Sequence, residues 1–157
     1  MPAVGHAGVV PVTGSRSGGA RPVMLATFDV PFSAEAADLA VDAAVEAGQR
    51  LIVVNVSLVP LMPASLMMGY SYIETEELTH ALRAPAELAA SLNVPVELLR
   101  VSSPHPADAL VELVSERNPG LLVLGPDPVR VHRRRYRKAA RRVRERTTCL
   151  VWLAPEV

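Results

Sequence analysis

The sequence has one cysteine, few aromatic residues and no long apolar run, and each shortage excludes a class of protein. Cys149 is the only cysteine among 157 residues, which excludes an intrachain disulfide and a cysteine-based metal site. No apolar stretch approaches the roughly 20 residues of a membrane-spanning helix, and the first residues lack the basic and apolar regions of a secretory signal. We therefore expect a cytoplasmic protein without a membrane segment.

Disorder and multiple domains are also excluded by composition and length. Half of the residues are hydrophobic and a fifth are charged, which is typical of a globular chain with a real core. At roughly 150 residues per domain, the length predicts one domain. We expect a flexible N-terminal tail over residues 1–21, which are rich in glycine and serine without periodicity, and a single domain over residues 22–157.

The net charge is zero, but the charges are distributed very unevenly. The segment from Arg130 to Arg146 holds ten lysines and arginines and one acid, Glu145, and so carries a local charge of +9. The remainder of the chain carries −9. The sequence therefore predicts an acidic body with one arginine-rich helix.

Apolar runs typical of buried parallel strands alternate with helical patterns along the chain. Strands are predicted at 23–28, 51–57, 94–101, 121–125 and 149–154, with helices at about 34–47, 74–92, 106–118 and 129–146. Ser33 and Gly48 are the expected caps of the first helix, and Pro85 is expected to kink or split the second. This alternation predicts an α/β fold, an open five-stranded parallel sheet with helices on both faces.

In such a sheet the ligand crevice lies outside the carboxyl ends of the strands, where the strand order reverses. Asp29 ends the first strand and Gly125 the fourth, so these two residues frame the expected crevice. Two roles are open for Asp29. It can accept hydrogen bonds from a ribose or base, or it can cap the turn that enters the first helix.

Several segments, taken in order, are similar to those of the universal stress protein family over residues 21–155. They are Met24 to Asp29 with Ser33 following, Val53 to Val56, Pro106 to Leu110, Leu122 to Gly125, and Thr148 to Leu153. The resemblance implies a Rossmann-like sheet of strand order 3-2-1-4-5, as in the adenine nucleotide alpha hydrolase-like folds. It also implies frequent homodimers, which one subgroup builds through the last strand, ATP binding in part of the family, and regulatory rather than catalytic roles.

The ATP-binding members of that family carry G-x2-G-x9-G followed by Ser or Thr after the fourth strand. Gly125 matches the first glycine, but Pro128, Lys138 and Ala139 stand at the other three positions. Proline has no N–H to donate, so the resemblance argues against ATP held in the usual way of the family. By the same resemblance, Asp29 and Val56 match positions that contact ribose and adenine.

Arginines in the first turns of the last helix oppose the helix dipole, at about 0.3–1 kcal/mol each, so an anion is expected to compensate them. Three sources are open. The first is the acidic body or a partner subunit. The second, nucleic acid or a membrane surface, is disfavoured because the segment has Tyr136 as its only aromatic residue and its apolar stripe lacks leucine and phenylalanine. The third is a phosphate-bearing ligand, such as ATP or another adenine nucleotide, for which the candidate residues are Asp29, Val56, Gly125, Asp127, Arg130, Arg133, Arg134 and Lys138.

Other features predict no chemistry. Ser102, Ser103, His105 and Asp108 are the residue types of a hydrolytic triad, but they fall together at one helix start and are expected to be turn and cap residues. The histidines have no metal-ligand spacing, so no metal is predicted. A nucleotide hydrolase would need a base and a metal carboxylate near Gly125, where Asp127 is the nearest acid besides Asp29. The predicted function is a non-catalytic stress-response domain.

Two apolar features are candidates for contact with a ligand or a second subunit. The methionine-rich loop over residues 59–72 is either a lid or binding patch, or a satellite core. Leu150 and Trp152 lie on the last strand, where an uncovered apolar edge is an aggregation hazard. We expect these two residues to form a homodimer interface.

Overall fold

A computed structural model describes residues 5–7, 20–60 and 74–156. The strands are β1 (Gly5–Ala7), β2 (Val23–Thr27), β3 (Leu51–Leu58), β4 (Val96–Ser103), β5 (Leu121–Leu124) and β6 (Leu150–Leu153). The helices are α1 (Ala34–Ala47), α2 (Glu76–Ser91), α3 (Pro106–Arg117) and α4 (Arg133–Arg146). No helix in these ranges is long and apolar enough to span a bilayer.

The sheet has the order β1-β4-β3-β2-β5-β6, and every pairing from β4 to β6 is parallel. Counted from β2, the five parallel strands therefore follow the order 3-2-1-4-5, which confirms the predicted fold. The strand order reverses beside β2, so the carboxyl ends of β2 and β5 are neighbours.

β1 is a sixth strand that the sequence does not predict. Gly5–Ala7 pairs antiparallel with β4, opposite Leu98 to Arg100, within the segment predicted to be a tail. The prediction is wrong for these three residues, because an edge strand recruits a partner through backbone groups and needs no apolar pattern in it. Residues 1–4 and 8–19 lie outside the described residues.

Two apolar layers cover the sheet, one on each face, as predicted. On one face α1 and α2 pack through Ala36, Ala40, Val41, Ala44 and Ala89. The small side chains let α1 approach the sheet closely. On the other face α3 and α4 pack over the strands through Leu110, Leu113, Val114, Tyr136, Ala140 and Val143. The arginine-rich helix is therefore part of the core on its inner side.

Local signals set most helix ends. Ser33 accepts a hydrogen bond from the N–H of Ala36 at 3.1 Å, and Gly48 ends α1 with φ of 61°, so both predicted caps are confirmed. Pro85 lies inside a continuous α2, so the predicted split does not occur. α4 begins four residues later than predicted, because residues 127–131 form a hydrogen-bonded turn and His132 caps the helix.

Candidate ligand pocket

A pocket of about 420 Å³ lies at the carboxyl ends of β2 and β3, between the start of α3 and the α4 helix. Phe28, Asp29 and Val30 follow β2 and form its floor with Val56 and Leu58 of β3. Residues 104–108 form one wall. The other wall consists of Arg130, Val131, His132, Arg135, Lys138, Ala139 and Arg142. Apart from the Asp29 carboxylate, the floor of the pocket is therefore apolar, and one of its walls is strongly basic.

Asp29 lines this pocket with a carboxylate that the neighbouring strand holds in place. Its Oδ1 accepts hydrogen bonds from Asn55 Nδ2 at 3.2 Å and from Ser57 Oγ at 2.8 Å, and its Oδ2 accepts from the N–H of Leu58 at 3.3 Å. The Asp29 N–H donates to Asn55 Oδ1 at 2.8 Å, with Asp29 at φ of 56°. These bonds give Asp29 a structural role that neither sequence hypothesis included, since they tie the end of β2 to β3.

Gly125 is a glycine because α1 packs directly against it. A methyl group added at its Cα would lie 2.1 Å from the Cβ of Ala36, well inside van der Waals contact. Its N–H donates to the carbonyl of Ala26 at 3.0 Å, and its carbonyl accepts from the N–H of Ser33 at 3.0 Å. Helix packing thus explains this glycine, and its N–H is not available to a phosphate.

The loop between β5 and α4 has no free N–H up to residue 131. It contains two prolines, which have none to donate. The N–H of Val129 donates to the Asp127 carboxylate at 3.0 Å, and those of Arg130 and Val131 donate to its carbonyl. The N–H of Asp127 itself donates to the carbonyl of Pro31 at 2.8 Å. From Gly125 to Val131 this loop therefore offers no free backbone amide to an anion.

The structure brings only part of the predicted cationic set to the pocket. Arg130 and Lys138 line it, whereas Arg133 and Arg134 do not. Arg135 and Arg142 line it instead. Their spacing could have identified them, because positions 135, 138 and 142 follow the i, i+3, i+7 pattern of one helix face. The predicted start of the helix at Val129 instead placed Arg133 and Arg134 in its first turns.

Acidic residues elsewhere in the chain neutralise part of the arginine-rich segment, which was the first of the three predicted sources. Arg130 pairs with Glu77 of α2, and this hydrogen bond lowers the pKa of the Glu77 carboxyl. At the pocket, Arg142 Nη1 lies 2.7 Å from Asp108 Oδ1 of α3. Within the described residues, Arg135 and Lys138 have no carboxylate partner. They are the pocket cations best placed to meet a ligand anion.

The other predicted site residues are dispersed. Val56 lies in the pocket floor but is only 1% exposed, and its contact with a base stays a prediction. Asp127 does not line the pocket. Leu150 and Trp152 lie on β6, which forms the far edge of the sheet, and Leu150 is 72% exposed. The methionine-rich loop falls almost wholly on residues 61–73, outside the described residues.

The described residues include no cluster of three or more histidine, cysteine or acidic side chains that could hold a metal ion. Two of the four residues that resemble a hydrolytic triad, His105 and Asp108, line the pocket. Ser103 Oγ accepts a hydrogen bond from the N–H of His105 at 3.0 Å, as is typical of a turn residue. The arrangement can bind an anion beside an apolar group.

Comparison with known proteins places this geometry in a family. The model of the universal stress protein family matches residues 19–155. No curated protein sequence matches the chain. A solved universal stress protein in complex with cAMP is 22% identical, with a TM-score of 0.58, and the match covers 87% of this chain and 98% of that one.

Two further solved structures are similar. One is the universal stress protein of Archaeoglobus fulgidus in complex with dAMP, at 17% identity and a TM-score of 0.56, covering 85% of this chain and 96% of that one. The other is a universal stress protein family protein from Arabidopsis thaliana with AMP bound, at 14% identity and a TM-score of 0.52, covering 87% and 92%. At these identities the likeness shows a shared fold.

Proposed function

The chain belongs to the universal stress protein family, and from that premise we propose that it is a non-catalytic regulatory domain of the stress response. Its pocket takes a phosphate-bearing ligand, and the phosphate is held by cationic side chains of α4 instead of backbone amides. The proposal does not include ATP whose phosphates are bound by backbone amides of the loop after β5.

The observation that carries the proposal is the hydrogen bonding of that loop. Every N–H from Gly125 to Val131 is either replaced by proline or donates within the chain. A triphosphate wrapped by this loop would find no main-chain donors. Arg135 and Lys138, one turn further along, supply the only unpaired positive charges of the described pocket wall.

Shape and charge favour a nucleoside monophosphate as the ligand class. The pocket volume of about 420 Å³ falls in the range of small-molecule sites. Its apolar floor suits a base, and its two unpaired cations match the roughly two negative charges of a phosphate monoester. The related proteins solved with cAMP, dAMP and AMP support the adenine nucleotides as the first ligands to test.

The position of Asp127 argues against its use as the carboxylate of a nucleotide hydrolase. Such an enzyme would need a base and a metal carboxylate near Gly125. The Asp127 carboxylate accepts the N–H of Val129, and Asp127 lies outside the pocket lining. Tyr136, the only aromatic residue of the arginine-rich segment, is buried and its hydroxyl donates to the carbonyl of Ala154, which argues against base stacking by a nucleic acid.

A thermal-shift titration tests the proposal. We expect AMP, dAMP or cAMP at about 100 times its Kd to add about 2.7 kcal/mol to stability, and Tm to rise by several degrees. ATP should do no better than AMP, because the loop from Gly125 to Val131 offers its outer phosphates no free amide. Lys138→Met should reduce the shift, whereas Arg134→Met, an equal loss of charge on the same helix outside the pocket, should preserve it. Absence of a shift with every nucleotide would remove the ligand from the proposal.

A further inference from the structure

The charges of the four helices are separated across the sheet. On one face α1 carries a net charge of −4 and α2 carries −2, whereas on the other face α3 carries −2 and α4 carries +8. The helices of the two faces therefore carry −6 and +6, and the sheet keeps them apart. Because the whole chain is neutral, no overall repulsion opposes the approach of a second copy.

The outer side of α1 carries an acidic stripe. Its four acids are exposed and lie opposite the buried face of the helix, at Glu35, Asp38, Asp42 and Glu46. α1 contains no lysine or arginine, and none of these carboxylates pairs with a cation of the described residues. The described part of the chain therefore leaves the acidic stripe without a neutralising partner.

An arginine stripe on α4 has the matching spacing. Its members are exposed on one side of the helix and follow one another at intervals of four, four and three residues, at Arg133, Arg137, Arg141 and Arg144. The acids of α1, read from the carboxyl end of that helix, also follow at four, four and three. Each stripe therefore spans about 16.5 Å along its helix axis, and the two coincide when the helices lie antiparallel.

The two ends of the arginine stripe carry its available charge. The two central arginines are already paired with acids of their own chain. Arg133 and Arg144, at the ends, have no carboxylate partner among the described residues. In the antiparallel alignment they lie opposite Glu46 and Glu35, which are also unpaired there. Two new ion pairs therefore set the register of the contact, and the neutralised centre adds no repulsion.

An apolar groove of about 300 Å³ lies beside the acidic stripe, between α1 and α2. Ala34, Ala37, Ala81 and Leu88 line it together with Asp38. The methylene groups of an arginine side chain can pack on such a surface while the guanidinium group reaches a carboxylate. The acidic face therefore offers apolar contact as well as charge to a helix that docks on it.

We propose that α4 of one copy of this chain docks antiparallel on α1 of a second copy, with the arginine stripe against the acidic stripe. The two stripes lie on opposite faces of the sheet, so they cannot meet within one chain, and each copy can bind one neighbour on each face. Such a heterologous contact builds a head-to-tail stack that salt weakens. Arg133 and Arg144 do not line the ligand pocket, so this inference does not depend on the ligand.

Sedimentation velocity of the full chain tests this contact. In low salt we expect the mean mass to rise with protein concentration, past the mass of a dimer. In about 0.5 M salt, where the Debye length is shorter than about 5 Å, association should weaken tenfold or more. A chain that stays monomeric in low salt, or a dimer of fixed size that salt leaves unchanged, would overturn the proposal.

Neutral substitutions on α1 locate the contact. Glu35→Gln with Glu46→Gln should weaken the association about tenfold or more, because both new ion pairs are lost. Glu112→Gln with Glu116→Gln removes two exposed acids of α3 and changes the net charge equally, so it should weaken the association less than about threefold. Equal losses in the two variants would mean that net charge alone governs the association and would contradict the proposal.

A mixing experiment tests the head-to-tail geometry. Arg133→Gln with Arg144→Gln should abolish the stack as the α1 variant does. An equimolar mixture of the α1 and α4 variants retains one intact pair of stripes, so we expect it to form a complex with one copy of each that grows no further. A mixture that associates no more than either variant alone would show that these two stripes do not bind each other.

Discussion

Replacing Gly125 with alanine should destabilise the fold by about 3 kcal/mol, which lowers Tm by roughly 10 °C. The added Cβ would lie 2.1 Å from the Cβ of Ala36, and both atoms are attached directly to backbone, so α1 must move off the sheet. Ala36 is fully buried, which leaves no space for a smaller adjustment. Chemical unfolding of the purified variant measures the loss.

A double variant separates packing from any role in ligand binding. Once the Ala36 methyl group is removed, the nearest side-chain atom to the new Cβ is Val123 Cγ1 at 3.7 Å, an ordinary contact. Gly125→Ala with Ala36→Gly should therefore be more stable than Gly125→Ala alone, despite the cost of glycine in a helix. Ala40→Gly, a buried change on the same helix away from Gly125, should give no such recovery. Additive losses in both double variants would refute the packing explanation.

Replacing Glu97 with methionine should cost about 3 kcal/mol, because it leaves a cationic side chain without its anion. Glu97 is 2% exposed on β4, and Arg117 Nη1 at the end of α3 lies 2.8 Å from its Oε1 and 3.0 Å from its Oε2. Arg50 Nη1 lies 3.7 Å from Oε2. Methionine preserves the volume but removes the charge and the hydrogen-bond acceptors of the carboxylate. Urea unfolding gives the difference.

Glu145→Met is the matched control for burial. Its partner Arg141 is exposed, and such i, i+4 pairs contribute less than about 0.5 kcal/mol. A second comparison isolates the unpaired charge, since Glu97→Met with Arg117→Met should regain much of the loss. Equal effects of the Glu97 and Glu145 changes would show that burial of the pair is unimportant.

The fold could be predicted from sequence because its signals are local. The buried strands are continuous apolar runs, and Ser33 and Gly48 mark the two ends of α1. The alternation of strands and helices is compatible with only a few topologies. Gly5–Ala7 could not be predicted, since a strand held at an edge by backbone pairing leaves no pattern in its side chains. The family match over residues 19–155 agrees with the resemblance carried by those segments.

The site was less predictable because its details are tertiary. Pro128 alone shows that a main-chain donor is missing, but the partners of the remaining N–H groups depend on how the loop folds around Asp127. Which arginines of α4 face the pocket depends on where the helix begins, and it begins four residues later than the sequence predicts. Gly125 must be a glycine because Ala36 packs against it, and Ala36 lies 89 positions away in the sequence.

The most direct test compares AMP with adenosine by calorimetry, in the wild type and in a variant carrying Arg135→Gln and Lys138→Met. If side chains grip the phosphate, the wild type should bind AMP roughly tenfold or more tightly than adenosine, and the variant should bind both alike. A preference for AMP that survives loss of both side chains would contradict the account, because some other group would then hold the phosphate.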